Sequence, residues 1–175
     1  MSRMVKKQLA VVENTKFSNS GDAFVVSGKL GNIKINLNKK VSVELEGNGL
    51  RFKSLTDEDN GMLGTSFVLV KNAMNDLQNG FTAKLKMVGV GFKANVVGKF
   101  LRVYVGFSHD VFFGIPEGIT VEVKNDVEIL IKGYNRHSVM QFARAIRDIK
   151  KPEPYKGKGI FLNDEKVLRK EGKKK

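Results

Sequence analysis

The chain has 175 residues and carries 31 Lys and Arg against 18 Asp and Glu, a formal charge of +13. Its length allows one large domain or two small ones, and 41% hydrophobic residues with 18 glycines is a globular composition, not that of a disordered basic tail. With no cysteine, disulfides, thiolate zinc sites and cysteine nucleophiles are excluded, while the charge excess points to an anionic partner, most often nucleic acid. No stretch approaches the roughly 18 apolar residues of a membrane helix, and MSRMVKKQLAVV at the start lacks the apolar centre of a secretory signal. A cytosolic chain is expected.

Most elements read as short strands. Ile33, Ile35 and Leu37 alternate with Lys34 and Asn36, and Val41, Val43 and Leu45 alternate with Ser42 and Glu44. A period of two buries one face and solvates the other, the antiparallel habit. Gly47-Asn48-Gly49 suits a hairpin turn. Asp57-Glu58-Asp59 then forms the chain's acidic cluster, read as favourable charge ahead of a helix N-terminus. Over 61–79 the period changes: Leu63, Phe67, Val70, Met74 and Leu77 share one face of a helix, which Gly80 caps.

The second half repeats this order. Phe81, Ala83, Leu85 and Met87 alternate with Thr82, Lys84 and Lys86, and Leu101, Val103, Val105 and Phe107 with Arg102, Tyr104 and Gly106. Ile119, Val121 and Val123 form a further run, and Val127, Ile129 and Ile131 follow Asn125-Asp126. Val139, Phe142, Ile146 and Ile149 predict a second helix over 137–149, which Pro152 prevents from continuing. The expected fold is α+β: two tandem similar modules, 1–80 and 81–149, each a small mostly antiparallel sheet packed against one helix, then a basic extension, 150–175. Two pairings support the repeat. Gly28-Lys29 is set against Gly98-Lys99, and Val43-Glu44-Leu45 against Val121-Glu122-Val123.

The motifs of common enzymes are missing or lack their context. His109 and His137 have no helical spacing and no carboxylate cluster beside them, and neither a nucleophile elbow nor a phosphate-binding P-loop occurs. Gly89-Val90-Gly91-Phe92-Lys93-Ala94 matches the dinucleotide fingerprint formally, but strand patterns follow where a helix N-terminus is needed. These glycines read instead as a bulge or a close backbone approach. No cofactor, metal or small-molecule substrate is expected.

The charge itself is uneven: residues 150–175 hold 10 basic and 4 acidic groups, nearly half of the net excess in 26 residues. Within them Lys150, Lys151, Pro152, Glu153, Pro154, Tyr155, Lys156, Gly157, Lys158 and Gly159 form the most informative run. Prolines stiffen it, Tyr155 offers a stacking face, and lysines two apart on an extended strand reach the same phosphate strand. The glycines between them would let phosphate approach the backbone N–H groups. Arg169, Lys170, Lys173 and Lys174 add charge further on. Twenty-four lysines against 7 arginines favour recognition of backbone and shape over base reading.

PEPYKGKGI at 152–160 is similar to the signature of protein six of the bacterial large ribosomal subunit. VSGKLGNI (26–33), LGTSFVLVKNAM (63–74), MVGVGFKA (87–94), GFSHDVFFGIPEGITVEV (106–123) and IKGYNRHSVMQFARAIRD (131–148) resemble that family's pattern in order, through almost the whole chain. The resemblance implies two modules of like fold, no enzymatic activity, and binding of large-subunit ribosomal RNA near the sarcin–ricin loop and the base of the factor-binding stalk. It also implies neighbouring ribosomal proteins, a ribosome-bound cytoplasmic location and no membrane. Tyr155 to Gly159 carry over as RNA-facing positions, with the turn Ser108-His109 and the loop Gly89–Lys93. Lys6-Lys7-Gln8-Leu9-Ala10-Val11 departs from the family, which usually places prolines there. Two rivals predict different behaviour: an RNA-processing enzyme would turn RNA over, and a basic adaptor for membranes or acidic proteins would bind liposomes without RNA.

Overall fold

The computed structural model describes residues 8–11, 15–20, 23–38, 40–46, 49–54, 60–163 and 165–172. Asp57-Glu58-Asp59, Lys173 and Lys174, Lys6 and Lys7 of the N-terminal segment, and Gly47-Asn48 of the expected hairpin turn lie outside the described residues. The chain forms two compact units, Met1–Gly80 and Phe81–Lys175.

The first unit holds β1 (Leu9–Ala10), β2 (Lys16–Ser20), β3 (Ala23–Gly28), β4 (Gly31–Asn36), β5 (Val41–Glu46), β6 (Gly49–Ser54) and α1 (Asn60–Asn79). They make two antiparallel sheets, ordered β1-β6-β5 and β2-β3-β4. The predicted stripe of α1, Leu63, Phe67, Val70, Met74 and Leu77, is buried with Val26, Ile35, Leu50 and Phe52 from the strands. Phe52 meets Phe67 edge to face, with centroids 5.6 Å apart. Strand and helix come close where Gly28 lies: a Cβ there would stand 2.8 Å from the Leu77 Cβ. Gly80, at φ +71, ends α1 in the left-handed conformation expected of its cap.

The second unit holds β7 (Phe81–Val88), β8 (Lys93–Val97), β9 (Phe100–Tyr104), β10 (Val111–Gly114), β11 (Ile119–Lys124), β12 (Glu128–Gly133), α2 (Arg136–Ile149) and β13 (Gly159–Leu162). Its sheets are ordered β10-β9-β8 and β11-β12-β7-β13. Asn135 caps α2, its side-chain oxygen accepting from the His137 N–H. Val139, Phe142, Ala143 and Ile146 bury the helix face against Ala83, Leu85, Ile129, Ile131 and Ile160.

The repeat is one of topology. β1 to β6 and α1 correspond in order and pairing to β7 to β12 and α2. Each unit therefore has two sheets rather than the single sheet expected. The pairing of Val43-Glu44-Leu45 with Val121-Glu122-Val123 follows this correspondence, β5 to β11. The pairing of Gly28-Lys29 with Gly98-Lys99 does not: the first joins β3 to β4, while the second joins β8 to β9, one hairpin earlier in the order. The alternation in 41–45 also misleads in part, because Val41 is buried but Leu45 is 61% exposed.

Residues 150–175 are not a separate extension throughout. Gly159–Leu162 is a strand of the second sheet, antiparallel to β7, with Gly159 opposite Val88 and Leu162 opposite Leu85. Ile160 is fully buried. Burial of such a side chain is worth about 1.5–3 kcal/mol, so a cut after Ile149 removes core as well as charge.

Candidate nucleic-acid interface

Three loops and the returning tail meet at one end of the second unit. The first loop follows α2. The Ile160 N–H donates to the Lys150 carbonyl at 2.9 Å, and the Glu153 N–H donates to the Lys158 carbonyl at 2.9 Å, which closes 150–160 into a narrow arch. At its tip, Pro154–Lys156 turns, and the Lys156 N–H donates to the Glu153 carboxylate at 2.9 Å. Tyr155 is 61% exposed there, and the side chains of Lys156 and Lys158 face solvent.

The arch corrects two geometric expectations. Lys156 and Lys158 do not alternate along an extended strand, because Lys156 lies in the turn and Gly157 follows at φ +68. Nor are the glycines left open for phosphate. Both are buried, and a Cβ on Gly159 would stand 2.6 Å from the Pro152 Cα and 2.7 Å from the Lys151 carbonyl oxygen. Closure of the arch itself requires glycine at 159.

The second loop, Gly89-Val90-Gly91-Phe92, links β7 to β8 as a turn, not a bulge. Phe92 folds beneath it so tightly that a Cβ on Gly89 would lie 2.8 Å from its ring. Val90 is left at the tip, 92% exposed. Strand β8 follows directly, so the helix N-terminus of a dinucleotide site is not in this place. Since Gly159 pairs with Val88, this loop borders the arch.

The third loop is the bend after β9. Gly106 turns at φ +78, and the rings of Phe107 and His109 stack with centroids 6.0 Å apart. The Lys150 ammonium lies 5.5 Å from the Phe107 centroid, a cation–π contact that joins this bend to the base of the arch. Ser108 and His109 are exposed.

The tail is anchored before it returns. Asn163 exchanges hydrogen bonds with Lys84, its N–H donating to the carbonyl at 2.6 Å and its side-chain oxygen accepting from the Lys84 N–H at 2.9 Å. The Arg147 guanidinium then grips the Glu165 carboxylate through two nitrogens, Nε donating at 2.8 Å. Both groups are about three-quarters buried. The hydrogen bond from Arg147 outweighs burial and holds the Glu165 carboxyl below its ordinary range, and the same bond raises Arg147. Further on, the Lys170 N–H donates to the Pro154 carbonyl at 3.0 Å. The Arg169 guanidinium lies against Gly157, 3.0 Å from where a Cβ would be.

Lys150, Ser108 and His109 thus meet at the base of the arch, and Tyr155, Lys156, Lys158, Arg169 and Lys170 meet around its tip. Lys93, exposed, is the first residue of β8 beyond the second loop. Lys151 is exposed but stands 3.8 Å from Asp148, which partly offsets its charge. Sequence reasoning named the loop that carries Val90 but did not single out Phe107, the platform under Lys150. An aromatic just before Ser108-His109 was the signal available. His137 sits apart in role, in the first turn of α2, with its N–H spent on the Asn135 cap. Among the described residues no group of three His, Asp or Glu is arranged to hold a metal, and no helix is long and apolar enough to cross a membrane.

A family model described as Ribosomal protein L6 matches residues 88–161, the stretch that holds all three loops. The chain is 41% identical to the Large ribosomal subunit protein uL6 of Stutzerimonas stutzeri and 44% identical to that of Leptothrix cholodnii, over 177 aligned residues covering 100% of each chain. A further relative of the same name, from Thioalkalivibrio sulfidiphilus, is 40% identical over the same span. At that identity over its full length, the chain belongs to the ribosomal protein L6 (uL6) family, whose members are structural components of the ribosome and not enzymes.

Proposed function

We propose that this chain is a structural constituent of the large ribosomal subunit that binds large-subunit ribosomal RNA through the arch 150–160, the bend at Ser108-His109, the loop ending at Lys93, and the tail at Arg169 and Lys170. Lys173 and Lys174, next in sequence, extend the same basic run. The observation that carries this reading is the convergence of three loops and the tail, all within or bordering the family-matched stretch, on one basic end of the second unit. By family resemblance, the RNA lies near the sarcin–ricin loop and the base of the factor-binding stalk, among neighbouring ribosomal proteins. The location that follows is the cytoplasm, on the ribosome.

The mechanism is thermodynamic. Lysine and arginine side chains displace condensed counterions from phosphates, while the rigid arch fixes where those charges stand. Tyr155 presents a ring to a base or sugar at the tip. Lys150, resting on Phe107, pays less conformational entropy on binding than a free lysine would. With about eight cations on phosphate, the slope of log K against log salt is about −5 to −7. The test is sedimentation: the native protein should travel with large subunits and leave them only at high salt. A chain that sediments free of subunits in low salt would refute the reading.

A further inference from the structure

The outward face of the sheet β10-β9-β8 holds a second surface, which adjoins the loop Gly89–Lys93 and runs from it along β8 and β9. We propose that this face stacks the unpaired bases of a single-stranded RNA segment, an inference that rests on the RNA-binding reading above.

Along β9, Leu101 and Val103 point into the core and are fully buried, while Phe100, Arg102 and Tyr104 point out. Phe100 is 53% exposed and Tyr104 is 44% exposed. Outward residues on one strand recur about every 7 Å, so three flat π groups stand in a row: ring, guanidinium, ring. The middle plane is fixed rather than free. Arg102 Nε donates to the Asp110 carboxylate at 2.7 Å, and its guanidinium carbon lies 5.9 Å from the centroid of Phe112, itself 55% exposed.

The register places polar groups beside this row. Lys93 pairs with Tyr104, and Asn95 pairs with Arg102. With Gly91 these four residues line a shallow hollow of about 450 Å³. Lys93, opposite Tyr104, and Lys99, next to Phe100, are both exposed and stand at the two ends of the row of rings.

A row of planar groups with a cation at each end suits an extended nucleic acid strand. Every base has a π face, so the stacking tolerates sequence, and the lysines meet the phosphates. An apolar protein partner fits less well. It would have to strip water from Lys93, Asn95 and Arg102 without supplying acceptors. Lys93 also ends the loop that borders the arch, so a strand leaving a structured RNA held there has a path onto this face.

The experiment measures binding of fluorescein-labelled decauridine RNA to the full chain, beside binding of structured large-subunit RNA. Phe100→Ala with Tyr104→Ala should weaken decauridine binding about tenfold for each ring removed, with the salt slope unchanged because no charge is lost. Tyr104→Phe, which keeps the ring, should bind like the parent, and unchanged affinity of the double variant for structured RNA shows that its fold is intact. Unchanged decauridine affinity in the double variant overturns the inference. So does a parent chain that binds structured RNA but not decauridine. If removing the rings releases a neighbouring protein from the subunit and leaves RNA affinity unchanged, the face is a protein contact and the inference fails. A chain that binds neither RNA refutes the proposed function together with this one.

Discussion

The two units share a topology but not its use. In the first, β1 is a two-residue strand that pairs with β6. In the second, its counterpart β7 runs eight residues and lies between β12 and β13, paired on both edges. The strand that makes the difference comes from beyond the repeat, from residues 159–162. It brings the arch before it and the anchored tail after it. The duplicated plan supplies two stable frames, and the chain added to one of them supplies the proposed RNA face. Charge follows the same division: residues 1–80 carry +3, residues 81–175 carry +10.

The largest expected break between the units comes from Ile160→Ala. Removing a fully buried isoleucine from β13 should cost the second unit about 2–5 kcal/mol. The chain's three tyrosines, Tyr104, Tyr134 and Tyr155, all lie in that unit, so tyrosine fluorescence during denaturant unfolding reports on it alone. The tyrosine transition should move to lower denaturant while amide exchange in α1 stays unchanged.

Glycine substitutions should separate the units next. Gly159→Ala forces a Cβ against the backbone of Lys151 and Pro152 at φ +143 and should destabilise the second unit by about 1–3 kcal/mol. Gly64→Ala, inside α1 with open space around it, should stabilise the first by about 1 kcal/mol. Thermal melts of both variants check the opposite signs.

A smaller effect concerns the tail anchor. The Glu165 carboxyl is held below its ordinary range by Arg147. Its contribution is therefore present above the unfolded carboxylate value, about 4.3, and is lost as pH falls through the lower folded value. Glu165→Gln should cost about 1 kcal/mol at neutral pH and flatten this acid-side loss. Amide exchange at Leu162, whose N–H donates to the same carboxylate at 3.4 Å, would follow it. A variant that loses protection as steeply as the parent between pH 5 and 3 would show that the anchor lies elsewhere.

Much of this fold was legible in the sequence because it is local. The helix stripes Leu63–Leu77 and Val139–Ile146 are buried as their spacing requires, and the alternations in 81–87, 119–123 and 127–131 mark real strands. What escaped is set by distant partners. Gly159–Leu162 is four residues long with no alternation, and it becomes a strand because β7, about 70 residues earlier, offers an open edge. Ala23-Phe24-Val25-Val26 is continuously apolar in sequence, yet Phe24 and Val26 alone are buried, a choice made by its neighbours β2 and β4. The run 101–107 stops at Tyr104 because Gly106 bends the chain. At the candidate site the residues were visible but their reasons were not. Gly157 and Gly159 read as openings for phosphate, whereas they let the arch close on itself. The contact of Lys150 with Phe107 joins segments more than 40 positions apart, which no local pattern carries.

The most direct test of the proposed RNA face compares two charge-matched variants of the full chain. One changes Lys150, Lys156 and Lys158 to alanine in the second unit, and the other changes the exposed Lys16, Lys29 and Lys34 to alanine in the first. Binding to large-subunit ribosomal RNA is measured across a salt series. The expected result is a slope shallower by about 2–3 for the first variant and near that of the parent for the second. Equal slopes in the two variants would contradict the account.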